Sequence, residues 1–326
     1  MKIRALSAEV IRELAPYEEL IPLMANTLAA VSRGEAELPL RGGLMLPEGR
    51  GALVMMPGYL GPPNRAGIKL ISLDPNASAE GRPTHLGLVI LYDAEGLIPL
   101  AILCGSTVTA LRTAAATACA TDLLARPDAR VLAMLGSGEQ ADAHLNALRR
   151  VRDFSVIRIW SRSPENAGRL ARKHSGFPGT VEVHDTVESA VAHADVICTL
   201  TSSRTPILAG NLISPGTHVN LVGSSSRVAA ETDDELVVRS RFFVDFRASA
   251  MAQAGELLNA IERQRVTSEH VVGQLGDIVD GRIPGRTDRA QITVFKSLGI
   301  AAEDIALAAH VYSKAEASGI GPVFEI

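Results

Sequence analysis

Gly136, Gly138 and Ala141 stand at the spacing G-x-G-x-x-A, directly after the apolar run Val131 to Leu135. That spacing has a chemistry. The first glycine allows a tight turn, the second lets backbone approach a pyrophosphate, and the small third residue lets a helix pack on its strand. A helix opening at Glu139 then presents unpaired N–H groups to the phosphates. Glycine turns between strand and helix are common, so the surrounding elements must support the assignment. About 25 residues beyond Gly136, where a second strand should end, stand Ser161, Arg162 and Ser163. An NAD site usually has Asp or Glu there. Two hydroxyls and a guanidinium suit a ribose 2′-phosphate, which inclines the reading toward NADP over NAD. Thr201 and Ser202 close one later strand, and Val222, Gly223 and Ser224 close another. Each alone is an ordinary loop cap. Together they suit a dinucleotide lying across the carboxyl edge of a sheet. Arg112 is the other charge that stands out, because its setting LRTAAATACA has almost no polar face. A guanidinium there is expected to meet an anion.

The elements that would position these groups follow from hydrophobic periodicity. Residues 7 to 32 have helical spacing, with Ser7 as an N-cap and Pro16 splitting a short helix from a longer one. Strands are expected at Ala52 to Pro57, Gly67 to Leu73, Leu86 to Tyr92 and Leu97 to Leu103. An alanine-rich helix starts at Thr107 and ends before Pro127. Beyond it strands and helices alternate through Phe242 to Asp245, the rhythm of a parallel, doubly wound sheet. The stretch Ile292 to Ala317 has an apolar helical stripe and is expected to pack back on the first sheet. The fold class is therefore α/β: a Rossmann-type dinucleotide-binding domain over 121–300, and an α+β domain over 1–120 with 301–326.

Composition narrows the function classes. The chain has 326 residues, 47% of them hydrophobic and 21% charged, which suits a globular protein with a large core. A formal charge of −4 without Lys/Arg runs speaks against nucleic acid as a partner. Cys104, Cys119 and Cys198 are unclustered and lack metal-ligand spacing, so no metal site is expected and a reducing compartment fits. The charged N-terminal stretch does not read as a signal peptide, and Arg112 interrupts the one apolar run long enough to be considered as a span. The expectation is a soluble, cytoplasmic protein with no membrane partner.

At this point a family resemblance enters. The chain resembles the ornithine cyclodeaminase/mu-crystallin family in Pro39-Leu40-Arg41, Gly67-Ile68-Lys69, Arg82-Pro83-Thr84-His85, Thr109 to Ala115 (TALRTAA), Gly136 to Ala141 (GSGEQA) and Ala194-Asp195-Val196. Later matches are Val244-Asp245, Gly281 to Arg286 (GRIPGR) and Ile292 to Gly299 (ITVFKSLG). The T-A-x-R-T-A-A and T-V-F-K-S-x-G runs are the specific ones. The resemblance implies a homodimer of two-domain subunits, the first domain binding an amino or imino acid and forming the dimer interface. It implies that Arg41 and Arg112 clamp the substrate carboxylate, a task suited to a permanently charged planar fork. Lys69 would bind substrate and be the acid/base group at its nitrogen, with a pKa that burial can lower. Thr84, Arg112, Glu139, Gln140, the 161–163 loop and Lys296 would lie with the dinucleotide.

One departure is informative. Cyclodeaminases carry G-A-D-x-P-G-K-x-E-L, whose aspartate assists deamination and ring closure; here Gly223 to Glu231 places Ser225 at that aspartate. A neutral hydroxyl is no carboxylate base near neutrality. The resemblance therefore implies NAD(P)H-dependent reduction of a 2-imino acid, a ketimine or an iminosuccinate-like dicarboxylate, to an L-amino acid. Hydride would come from nicotinamide and the proton through Lys69. Arg65, close to Lys69 in sequence, leaves room for a second substrate carboxylate. The alternatives are an ornithine or lysine cyclodeaminase and a non-catalytic, NADP-binding protein of the mu-crystallin kind.

Overall fold

The computed structural model describes residues 1–74 and 85–325. The chain divides into two compact units, Met1–Arg112 with Ile300–Ile326, and Thr113–Gly299. The division falls inside one helix, between Arg112 and Thr113.

The first unit opens with β1 (Lys2–Leu6), α1 (Ala8–Leu14) and α2 (Tyr17–Ser32). Ser7 caps α1 by accepting from the Val10 N–H, and Pro16 holds the N-cap position of α2. Then come β2 (Ala36–Glu37), β3 (Gly42–Met45), β4 (Ala52–Leu60), β5 (Arg65–Leu73), β6 (His85–Asp93), β7 (Pro99–Cys104) and α3 (Gly105–Leu124). The last two elements of the chain, α11 (Ala301–Ser318) and β16 (Val323–Glu325), return to this unit. Its sheet runs β16-β1-β7-β6-β5-β4-β2 among the described residues, with β3 also on β4. Only the β1–β7 pair in that set is parallel. The strand expected to stop at Pro57 continues to Leu60. Pro57 lies where β4 pairs with β5 but with neither β2 nor β3, so its missing N–H interrupts no ladder.

Alternation in β5 places Gly67 and Lys69 on one face, and α11 covers that face. The approach is close because of two glycines. A Cβ at Gly67 would come within 3.0 Å of Ile305, and one at Gly58 within 2.8 Å of the Ala301 Cβ. The alanines of α11 complete the fit.

The second unit is a parallel sheet wound by helices. Its elements are β8 (Val131–Leu135), α4 (Glu139–Leu148), β9 (Val156–Trp160), α5 (Pro164–Lys173), β10 (Thr180–His184), α6 (Val187–Val191), β11 (Val196–Thr199) and β12 (His218–Leu221). They continue with α7 (Asp234–Arg239), β13 (Ser240–Val244), α8 (Arg247–Gln253), α9 (Gly255–Glu262), β14 (Val271–Gln274), α10 (Leu275–Val279) and β15 (Ile292–Lys296). The sheet order is β10-β9-β8-β11-β12-β15-β13-β14, every pair parallel. The chain winds outward from β8 in both directions, so the switch point lies between β8 and β11, where such sheets bind ligands at their carboxyl ends. Ile292 to Lys296, which sequence periodicity joined to the final helix, is instead β15. Five buried residues with four β-branched or aromatic members among them suit a strand covered on both faces, and Gly299 at φ 74° separates it from α11.

Candidate active site

The first unit holds a buried cluster of charge. Lys69, near the middle of β5, is 2% exposed. Its Nζ donates to Asp304 Oδ1 at 2.9 Å and to Thr109 Oγ1 at 3.3 Å, with Asp304 Oδ2 at 2.8 Å. Arg112, buried on α3, donates from Nε to the same Asp304 Oδ1 at 3.1 Å and from Nη1 to Glu303 Oε2 at 2.6 Å. Asp304 and Glu303 lie in the first turn of α11 and are both buried. Burial, and after it the Arg112 charge, pull the Lys69 ammonium down to about 8, while Asp304 holds it up and Arg41 adds to the depression. Arg41, half-buried just before β3, is thus electrostatically part of the cluster. The anion expected beside Arg112 is present as two carboxylates of the chain itself. Arg65 lies elsewhere: it pairs across strands with Asp93 at 3.1 Å, and its charge is felt by Tyr312, two helical turns beyond Asp304 on α11. The idea that it completes a second carboxylate site beside Lys69 is corrected by that pairing. Thr84 lies outside the described residues.

In the second unit the glycine turn has the geometry its spacing implies. Gly136 sits at φ 133°, and a Cβ there would fall 2.6 Å from the Leu200 carbonyl oxygen, just past β11. Gly138 is the N-cap of α4 and lacks any side-chain cap. A Cβ on it would meet nothing within 4 Å, so the space above it is open. Buried Ala141 packs inward. Glu139 is exposed in the first turn, and the Gln140 Oε1 is buried without a hydrogen-bond partner. Ser137 Oγ donates to Ser161 Oγ at 2.8 Å, tying the turn to the end of β9. Ser163 caps α5 and Arg162 is exposed between them. An uncapped ten-residue helix and an open glycine at its start fit a dinucleotide pyrophosphate.

The remaining predicted positions divide in two. Ser202 is exposed and Val222 half-buried at the strand ends. Thr201, Gly223, Ser224 and Lys296 are engaged within the protein. Glu231, fully buried, accepts from Thr199 Oγ1 at 2.6 Å and from the Thr201 N–H, Thr201 Oγ1 and Gly223 N–H at 2.7 Å each. Burial pushes its carboxyl above the usual range, against Thr199, Lys296 and Thr201, which hold it down. Ser224 Oγ donates to the Ala229 carbonyl at 2.7 Å. Lys296 is wholly buried on Glu256 at 3.1 Å and also donates to the Ser224 carbonyl. Glu256 in turn accepts from the Glu231 N–H at 3.1 Å. These groups shape the loop after β12. Sequence reasoning missed Asp304, Glu303, Glu231 and Glu256. The usable signal was a pair of acids, Glu303-Asp304, inside an otherwise alanine-rich helix.

Comparison with known proteins agrees with this architecture. A family model, the ornithine cyclodeaminase/mu-crystallin family, matches residues 2–319. The mouse ketimine reductase mu-crystallin is 36% identical over 311 residues, covering 94% of this chain and 96% of that one. The solved structure of Thermococcus litoralis Δ1-pyrroline-2-carboxylate reductase, in complex with NADH and L-proline, superposes with a TM-score of 0.95 at 30% identity, covering 98% of this chain and 99% of that one. An archaeal alanine dehydrogenase dimer with bound NAD gives a TM-score of 0.94 at 29% identity over the whole of both chains. With a family model spanning nearly its full length, this chain belongs to the ornithine cyclodeaminase/mu-crystallin family.

Proposed function

We propose that this protein is an NAD(P)H-dependent oxidoreductase that reduces the C=N bond of a 2-imino acid to an L-amino acid. The observation that carries the reading is a lysine lowered to about 8, buried between a carboxylate and guanidinium groups, in a chain that also holds a dinucleotide glycine turn. Arg41 and Arg112 bind the substrate carboxylate, and Lys69 delivers a proton to nitrogen. A dinucleotide bound at the glycine turn would supply the hydride. Glu139, Gln140, Gly136 and Gly138 would lie with its phosphates, and Ser202 and Val222 would border it at the strand ends. Ser161, Arg162 and Ser163 favour a 2′-phosphate, hence NADPH over NADH.

The pairing of Arg65 with Asp93 supports a monocarboxylic ketimine over a dicarboxylic imine. Ser225, in place of a carboxylate base, supports plain reduction over cyclodeamination. The partner is a second copy of the chain, and three free thiols fit a cytoplasmic location. The test is oxidation of NADPH and NADH with pyrroline-2-carboxylate, with pyruvate or glyoxylate plus ammonia, and with oxaloacetate plus ammonia. The cyclic ketimine with NADPH should turn over fastest. No turnover across the panel would remove the reading.

A further inference from the structure

We propose that Asp304 is the positioning residue of the proton donor: it aims the Lys69 ammonium, and by also accepting from Arg112 it remains compensated when Lys69 gives up its proton. This rests on the reading of Lys69 as proton source. A simple buried ion pair is badly suited to that work, because neutralising one member strands the other's charge away from water. Here one carboxylate serves two cations. Oδ1 accepts from both Lys69 Nζ at 2.9 Å and Arg112 Nε at 3.1 Å, and Oδ2 lies 2.8 Å from Nζ. Arg112 cannot lose its charge, so it stays as the standing counter-ion while Lys69 cycles. Rigidity comes from the glycines under α11, which fix the first turn of that helix on β4 and β5.

The step balances. Hydride brings its electron pair to the imine carbon and leaves the nicotinamide oxidised. The C=N π pair moves to nitrogen and takes the proton from Lys69 Nζ. Neutral Lys69 regains a proton from water. The charged and titratable groups around Lys69 among the described residues are Asp304 from α11, Arg112 from α3 with Glu303 of α11 behind it, and Arg41 from the loop before β3, with the Thr109 hydroxyl alongside. Burial and the two arginines favour neutral lysine, while Asp304 is the largest influence favouring the ammonium. Asp304 is therefore what keeps a proton on Lys69 at neutral pH.

The test is the pH dependence of kcat/KM for imine reduction by wild type and Asp304→Asn, with one substrate so that its own titration cancels. Reduction needs protonated Lys69, so kcat/KM falls as pH rises through the lysine pKa, near 8 in wild type. In Asp304→Asn the break should move down by about one unit or more, making the rate roughly tenfold lower on its alkaline side. Amine oxidation needs neutral Lys69 and should switch on at correspondingly lower pH. A uniform fall in rate with the break unmoved would overturn the proposal. Should Asp304→Asn not fold, wild type labelled with carbon-13 at the aspartate carboxyls answers instead. One carboxyl signal should shift at the midpoint of the activity break and lose that shift in Lys69→Met; no such signal would overturn the proposal. Full turnover in Lys69→Met would instead sink the role of Lys69 itself, a distinct result.

Discussion

Lys69 makes one separable contribution to how stability responds to pH. Its ordinary value is 10.5 and the folded value about 8, so the folded chain binds fewer protons than the unfolded chain between those limits. The Lys69 contribution to stability therefore rises with pH across that window, present in full above the unfolded value and lost as pH falls through the folded one. The displacement corresponds to about 3 kcal/mol for a fully buried group. Urea midpoints for wild type and Lys69→Met should diverge between about pH 8 and 10.5, wild type gaining on the variant. Parallel curves would show that Lys69 is not displaced. The sequence made Lys69 and Arg112 legible, because both lie in motifs and Arg112 stands in an apolar helix. It concealed their partners. Acids in the first turn of a helix commonly answer the helix dipole at the surface, and nothing in the local pattern of Glu303 and Asp304 distinguishes that case from burial.

At the scale of elements, Glu231 holds the carboxyl ends of β11 and β12 together. One oxygen takes the Thr201 N–H and hydroxyl; the other takes the Thr199 hydroxyl and the Gly223 N–H. Glu231→Gln is nearly isosteric and still cannot fit. Whichever way the amide is turned, its NH2 faces a backbone N–H, from Thr201 or from Gly223. The expected cost is about 1–3 kcal/mol, as for a buried donor left unsatisfied. Dinucleotide affinity should fall as well, because these loops border the glycine turn; thermal unfolding and nucleotide fluorescence titration read the two effects. Wild-type stability and affinity in the variant would refute the bracing role. The βαβ rhythm of this unit was readable from alternating apolar runs, and the strand β15 was not. Its five residues lie close before a long apolar helix, and a fully buried strand lacks the period-two alternation that would set it apart. The bracing by Glu231 was equally hidden, since its partners are 8 to 32 residues away in sequence.

For the whole molecule, the unexplained surface is the face of the first sheet turned away from α11. Strand register aligns Leu44 with Leu53 and, across Ser72, with Leu86; the next row joins Met55, Leu70 and Leu88. Leu44, Leu53, Met55, Leu86 and Leu88 are 42 to 58% exposed in the single chain. A contiguous apolar sheet face of this kind is uncommon on a monomer. A second copy is the occupant we propose, and a two-fold arrangement would set each residue of the patch against the same surface. Single substitutions then act twice. Leu88→Glu places two carboxylates in one apolar interface, an expected penalty of about 3 kcal/mol or more, roughly a hundredfold or greater in dimer dissociation constant. Light scattering behind size exclusion should give wild type twice the 34.4 kDa chain mass and shift Leu88→Glu toward that mass on dilution. A wild-type monomer at micromolar concentration would sink the proposal, and so would a variant that dimerises as tightly as wild type. The same face bears on how much was readable in advance. Apolar runs marked β4 and β6 as strands without saying which side they bury, and the register of four strands shows that the side away from α11 forms one surface.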